Sequence, residues 1–194
     1  MFESPRLIYR ALNETDFDLF YELYSDEEVM KYAYLDKLTS QEDAKDAFKN
    51  ILLDQSAHDI GIQYVACIKE ENVPIGIVDY EVALKHPQGG IFEIGYFIKP
   101  GYWGQGFGTE MGKALINYLF TNYSIHKVTA SCNSSNSQSE SIMIKLGMTK
   151  EGVSRRVRYK DGRWDDELKY SLLKEEWLLH QKELPKKFVS KEEN

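Results

Sequence analysis

Apolar and polar positions change period several times along this chain, and each change marks an element. Residues 6–10 (RLIYR) alternate polar and apolar, as a half-buried strand does. Asn13 or Thr15 then stands where a helix cap would, ahead of Phe17, Phe20 and Tyr24 on one helical stripe. Ser40, followed by Glu42 and Asp43, opens a second helix that sets Ala44, Ala47, Phe48, Ile51 and Leu52 on one face. Strands are predicted over 62–69 and 75–84, turning at Glu71-Asn72, with a further turn at 86–90. Residues 91–98 (IFEIGYFI) are apolar on both faces, which predicts a central strand. A glycine-rich turn leads into a helix carrying Phe107, Met111, Leu115 and Leu119. A strand over 126–132 and a helix over 136–146, stopped by Gly147, come next. Two strands, 148–159 and 164–173, turn at Asp161-Gly162. The order β-α-α-β-β-β-α-β-α-β-β predicts an α/β fold: one mixed sheet of about seven strands flanked by helices, with a β-α-β crossover at the glycines.

At 194 residues, 42% hydrophobic, the chain is sized for one domain with a real core. We expect that domain over residues 1–180 and a charged tail over 181–194. Cys67 and Cys132 make no disulfide framework and have no metal-ligand spacing near them. No apolar run is long enough to span a membrane and no secretory signal opens the chain, so the expected setting is cytoplasmic. A net charge of −7 argues against nucleic-acid and anionic-membrane partners, which need a basic face.

Chemistry concentrates in Trp103-Gly104-Gln105-Gly106-Phe107-Gly108-Thr109, between a strand and a helix. Three glycines let a ligand approach the backbone, and free amides with the positive helix end suit phosphate. No lysine precedes Thr109, so the segment is not a nucleoside-triphosphate loop, and G-x-G-x-G is not the dinucleotide fingerprint. On the glycines alone, a phosphate site and a plain tight connection are equally good accounts. His86 and His126 have no acid partner or nucleophile elbow and support no hydrolase.

The segment EIGYFIKPGYWGQGFGTEMGKALINYLF resembles the pyrophosphate-binding motif of the Gcn5-related N-acetyltransferases (GNAT), and most resembles the RimJ/RimL branch. The resemblance continues through HKVTA, Asn136-Ser-Gln-Ser139, KLGMTKEG and the stretch from Arg155 to Trp177, covering about residues 5 to 177. There are three departures: Trp103 replaces the Gln or Arg of the widest pattern, Met148 replaces a Phe, and the linker SCNSSNSQSES is longer in Ser and Asn, so Asn136 rather than Asn133 is assigned by counting back from Gly147. The resemblance implies direct acetyl transfer from acetyl-CoA to a primary amine, without metal. Within that class it favours a peptide or protein N-terminal α-amine, with a polyamine or aminoglycoside as the alternative acceptor. A CoA-binding protein that has lost turnover is a more distant reading. The chain would act as a monomer or homodimer.

The same resemblance implies roles for particular residues. Amides of 104–109 hold the CoA pyrophosphate, beside Trp103. The strand around Tyr96, Phe97 and Ile98 splays from its neighbour, and a free amide there, that of Phe97 by preference, binds the thioester carbonyl. Asn136 contacts CoA and Ser139 protonates the leaving thiolate; from the residues alone, both serve equally well as caps of the following helix. Glu93, a carboxylate inside an apolar strand, is the expected base or amine ligand, and its alternative is a structural pairing. Trp164 and Asp166, with Tyr32 and Tyr34, are expected around the acceptor, though a packed hairpin and core tyrosines account for them as well. The acidic run Asp79-Tyr80-Glu81 is a further lining for a cationic amine.

Overall fold

The computed structural model describes residues 1–56 and 61–183. Eight strands form a single sheet: β1 (Phe2–Glu3), β2 (Leu7–Ala11), β3 (Gly61–Ile68), β4 (Pro74–Leu84), β5 (Gly90–Ile98), β6 (Ile125–Asn133), β7 (Thr149–Lys160) and β8 (Arg163–Leu173). Their order is β1-β2-β3-β4-β5-β6-β8-β7. Every neighbouring pair is antiparallel except β5 and β6. Among the described residues six α-helices accompany them: α1 (Phe17–Ser25), α2 (Glu27–Met30), α3 (Gln41–Ser56), α4 (Phe107–Asn122), α5 (Ser137–Lys145) and α6 (Lys174–Glu183).

The mixed sheet flanked by helices matches the sequence expectation, with three additions. The strand beyond the expected seven is β1, whose two residues pair with Tyr9 and Ile8 and are too few to show a period. α2 exists because the Asp26 side chain caps it, accepting from the Val29 amide at 2.9 Å. α6 runs through the boundary expected at residue 180; it docks where the Trp177 indole donates to Asn117 Oδ1 at 2.7 Å and its ring meets Phe120. Residues 184–194 of the expected tail lie outside the described residues. No helix among the described residues is long and apolar enough to cross a membrane.

Strand alternation divides the core in two. On one face Tyr64, Ala66, Ile94, Ile98, Val128 and Leu172 pack with Met111, Leu115 and Leu119 of α4 and Met143 of α5. On the other, Val65, Cys67 and Ile77 pack with Leu19, Phe20, Leu23 and Tyr24 of α1 and Phe48 of α3. The stripe predicted for α4 is buried at all four positions.

One discontinuity in the sheet organises everything else. β5 pairs with β4 from Ile91 to its end, out to Gly76↔Ile98. Its parallel pairing with β6 stops at Glu93↔Thr129. β6 continues to Asn133 on β8 alone, so the far halves of β5 and β6 diverge and leave a cleft between them.

Candidate active site

The glycine turn borders this cleft at the end of β5. Gly104 and Gly106 sit at φ 73° and 81°, left-handed geometry that glycine adopts without strain. Open space surrounds the position of a Cβ on Gly104, and Gly106 caps α4 with no side-chain bond. The amides of the first turn of α4 are therefore left for a ligand, at the positive end of a 16-residue helix. Gly108 serves packing instead: a Cβ there would lie 2.7 Å from Ile142 Cδ1 and 3.2 Å from Ile98 Cδ1. Trp103 donates its indole N–H to the Ile98 carbonyl at 2.8 Å, tying the turn to the strand, and Gln105 Nε2 bonds the Gly101 carbonyl at 2.9 Å. Thr109 is half-buried in that first helical turn. A cradle of exposed glycine backbone at a helix start fits a pyrophosphate.

A cation that the sequence reading passed over also stands here. Arg6 lies over the Phe107 ring at 4.0 Å and donates to the Gln105 carbonyl at 3.1 Å. Glu110 grips it with one oxygen on its amide at 2.8 Å and the other on its Nε at 2.6 Å. Burial alone would raise the Glu110 carboxyl, but these bonds and the Ser4 hydroxyl outweigh it and hold it below the usual carboxylate range. Only the fold brings residue 6 to residue 110, so local spacing carried no signal.

The register corrects the expected oxyanion donor. The Lys99 amide bonds the Ile75 carbonyl of β4 at 2.9 Å, and alternation then turns the Phe97 amide to β4 as well. Phe97 puts its ring on Tyr24, on the α1 face. The amides that face the cleft belong to Tyr96 and Ile98. The Gly90 amide, of the same parity, bonds the Ser124 carbonyl on the β6 side.

On the α4–α5 side of the cleft, the Tyr96 hydroxyl lies 2.9 Å from Ser139 Oγ. Burial pushes the Tyr96 phenol up to about 12, so it carries its proton at neutral pH. Asn136 caps α5, its side chain accepting from the Ser139 amide at 3.0 Å, which is the cap reading of that residue. Burial likewise pushes the Cys132 thiol up to about 11, far from a nucleophilic thiolate.

The opposite face collects charge. Glu93 accepts from Ser131 Oγ at 2.8 Å and stands opposite Glu81 on β4. Asp79, one register step further, is raised to about 7 by burial and by the Glu81 and Glu93 charges. Beyond β6 lies a buried ion pair, Arg158 Nη2 to Glu167 Oε1 at 2.6 Å. The Tyr34 hydroxyl donates to the same oxygen at 2.7 Å, and its ring lies 3.5 Å from the guanidinium. Lys160 clamps that segment through the carbonyls of Met30, Ala33 and Leu35. Tyr34 thus covers the β7–β8 hairpin rather than packing in the core, and half-buried Tyr32 has the Lys31 ammonium 5.6 Å from its ring.

Trp164 and Asp166 do not join this group. Alternation along β8 turns both to the face opposite Glu167. Trp164 packs on Tyr159, exposed, and the Asp166 carboxylate accepts from the Arg156 amide at 2.8 Å, holding a bulge where Arg156 takes φ 51°. Asp165 is the acid on the cleft-facing side, bonded by Asn133 Nδ2 at 3.0 Å. Arg158 and Glu167 escaped the sequence reading because their pairing depends on a register that a bulge displaces. A sharper reading would have noticed charges at inward positions of two adjacent strands.

An α/β sheet parted beside a glycine-capped helix, with hydroxyls on one side and carboxylates on the other, is the arrangement that the resemblance to the N-acetyltransferases implies. Comparison with known proteins agrees. The acetyltransferase (GNAT) domain profile matches residues 6–149, and the chain belongs to that family of N-acetyltransferases. It is 33% identical over 175 residues to the uncharacterized N-acetyltransferase YnaD of Bacillus subtilis, covering 90% of this chain and 97% of YnaD. It is 30% identical over 84 residues to the [ribosomal protein uS5]-alanine N-acetyltransferase of Escherichia coli, 43% of each chain. The fold superimposes on spermidine N-acetyltransferase from Vibrio cholerae, solved with CoA and spermine, with a TM-score of 0.78 at 19% identity, covering 89% of this chain and 98% of that one.

Proposed function

We propose that this protein transfers acetyl from acetyl-CoA directly to a free α-amine at a peptide or protein N-terminus, in the manner of the RimJ/RimL branch. The observation that carries the reading is the cleft between β5 and β6, which opens onto the glycine turn at one end and onto the carboxylates at the other. Acetyl-CoA supplies the activated acyl group and a thiolate leaving group. The backbone of Gly104, Gln105 and Gly106 and the first amides of α4, from Phe107 to Thr109, hold its pyrophosphate, with Arg6 adding charge at the rim. Asn136 keeps α5 in place beneath it. Amides of Tyr96 and Ile98 face the thioester carbonyl and stabilise its oxygen as charge develops; one aligned donor of this kind is worth about 3 kcal/mol. Ser139, backed by the protonated Tyr96 phenol, delivers a proton to the departing sulfur.

On the acceptor side, Glu93 holds the ammonium while Tyr34 closes over the groove. Arg158 bonds Glu167 through Nη2, and its buried Nε donates to nothing among the described residues. A guanidinium with an N–H to spare suits an amine flanked by a carbonyl, as in an N-terminal residue. A polyamine is the second reading. The absence of any ion pair to Asp79, Glu81 or Glu93 among the described residues favours it, since that side of the groove is left negative.

Initial-rate thiol release separates them. Peptides beginning Ser, Ala, Thr or Met are run beside N-terminally blocked controls, polyamines and aminoglycosides. Turnover confined to free N-termini is expected. Turnover confined to small amines would overturn the acceptor and leave the transfer standing.

A further inference from the structure

The acceptor must lose a proton before it can attack, and β4 and β5 carry three carboxylates beside the cleft, Asp79, Glu81 and Glu93. They are not equivalent. Glu93 sits where β5 and β6 are still paired, and a hydrogen bond from Ser131 occupies one of its oxygens. Glu81 is exposed. Asp79 stands opposite Gly95, in the part of β5 that β6 has released. Gly95 has no side chain, and the Asp79 carboxylate occupies the notch: a Cβ on Gly95 would lie 2.7 Å from Oδ1 and 3.2 Å from Cγ. That glycine therefore lets a carboxylate from β4 lean over β5, at the level where β6 has parted from it.

The groups facing Asp79 are Tyr24 from α1, Gln63 on β3, Glu81 on its own strand and Glu93 on β5. None is a cation, and among the described residues none forms an ion pair with it. Gln63, its register partner on β3, buries Oε1 without a donor among the described residues. A protonated Asp79 would find an acceptor on that side.

From this placement we infer that Asp79 is the general base, taking the proton from the acceptor ammonium, with Glu93 as the ammonium's anchor. The inference rests on the acetyl-transfer reading. An ammonium enters with three N–H bonds. One proton passes to Asp79 and from there to solvent, leaving a neutral amine whose lone pair forms the N–C bond. As the C–S bond breaks, the second proton travels through Ser139 and Tyr96 to the thiolate. Amide, free thiol and one released proton are the products, so the atoms balance. Burial has already brought the carboxyl to about 7, where a base is effective near neutrality.

The test compares wild type with Asp79→Asn and Glu93→Gln. Three quantities are followed: kcat/KM against pH with an Ala-initiated peptide, acetyl-CoA affinity by calorimetry, and the Asp79 carboxyl by carbon-13 NMR with and without that peptide. We expect Asp79→Asn to lose about 10²- to 10⁴-fold in kcat and to lose the acid limb of the profile. Its acetyl-CoA affinity should stay within about twofold, which is about 0.4 kcal/mol. Glu93→Gln should raise the peptide KM and keep the limb. An Asp79→Asn profile that keeps the limb overturns the inference, as does a wild-type Asp79 resonance that the peptide fails to move. If wild type turns over no amine while that resonance still responds, the acetyl-transfer reading fails and contact between Asp79 and the amine survives.

Discussion

The two walls of the cleft are built from different material. On the cofactor wall the working groups are backbone: Gly104 and Gly106 in left-handed geometry, the first amides of α4, and the amides of Tyr96 and Ile98. On the acceptor wall they are side chains from β4, β5, β7 and β8, held by one another: Glu93 by Ser131, Glu167 by Arg158 and Tyr34. Backbone amides bind whatever anion reaches them, because every residue carries one. Side chains can be exchanged without disturbing the strands beneath. The difference teaches that a single cofactor can be kept while acceptors diverge, and it says where to strike each half separately.

The largest expected effect is on the acceptor wall. Arg158→Ala removes the closest cation from the buried Glu167 carboxylate, leaving it the Tyr34 hydroxyl and Lys169 Nζ at 3.7 Å, and losing one partner of a buried pair costs at most about 3–5 kcal/mol. For a chain of this size that is roughly 6–20 °C in Tm. Differential scanning calorimetry on the single variant and on Arg158→Met with Glu167→Leu checks it; the pair of apolar residues should recover most of the loss.

Asp79→Asn acts in the other direction. A carboxyl raised from 3.8 to about 7 binds its proton more tightly in the native state than in the unfolded one. Its penalty on stability grows as pH rises from about 4 and is complete above about 7. Asparagine carries no such penalty. The variant should match wild type near pH 4 and exceed it at pH 8 by on the order of 2–4 kcal/mol, read from urea midpoints at both pH values. A gain in stability with a loss of rate would mark Asp79 as strained for function.

Gly106→Val tests the backbone wall. A branched side chain at φ 81° costs about 1–2 kcal/mol in backbone strain and fills the cradle. Acetyl-CoA should bind about tenfold more weakly or worse, while the peptide KM moves little. The smallest effect is expected of Glu110→Gln, which loosens Arg6 at the rim: acetyl-CoA affinity falls about two- to fivefold at low salt, and the difference shrinks as salt is added.

These halves were unequally legible in the sequence for a physical reason. The glycine turn is contiguous, and its three glycines with the α4 stripe state both a conformation and a helix start, so residues 104–109 were readable as a unit. The succession of strands and helices along the chain and the crossover also followed from period changes. Phe97 was misassigned because amide direction depends on parity against β4, which one strand's sequence does not contain. Trp164 and Asp166 stood out as an aromatic beside two acids, yet alternation along β8 sends Asp165 and Glu167 to the groove instead. Arg158, Glu167 and Arg6 find their partners nine residues or more away, across registers and loops. Asp79 was visible as one of two acids in a β-rich run; the notch at Gly95 and its burial, which only the fold shows, distinguish it from exposed Glu81.

The most direct test of the account gives the enzyme one peptide with two amines. A peptide beginning with alanine and carrying an internal lysine is incubated with acetyl-CoA, and the acetyl group is located by tandem mass spectrometry. Acetylation at the α-amine, with the lysine untouched, is the predicted result. Acetyl on the lysine side chain, or an unmodified peptide under conditions where a polyamine is turned over, would contradict it.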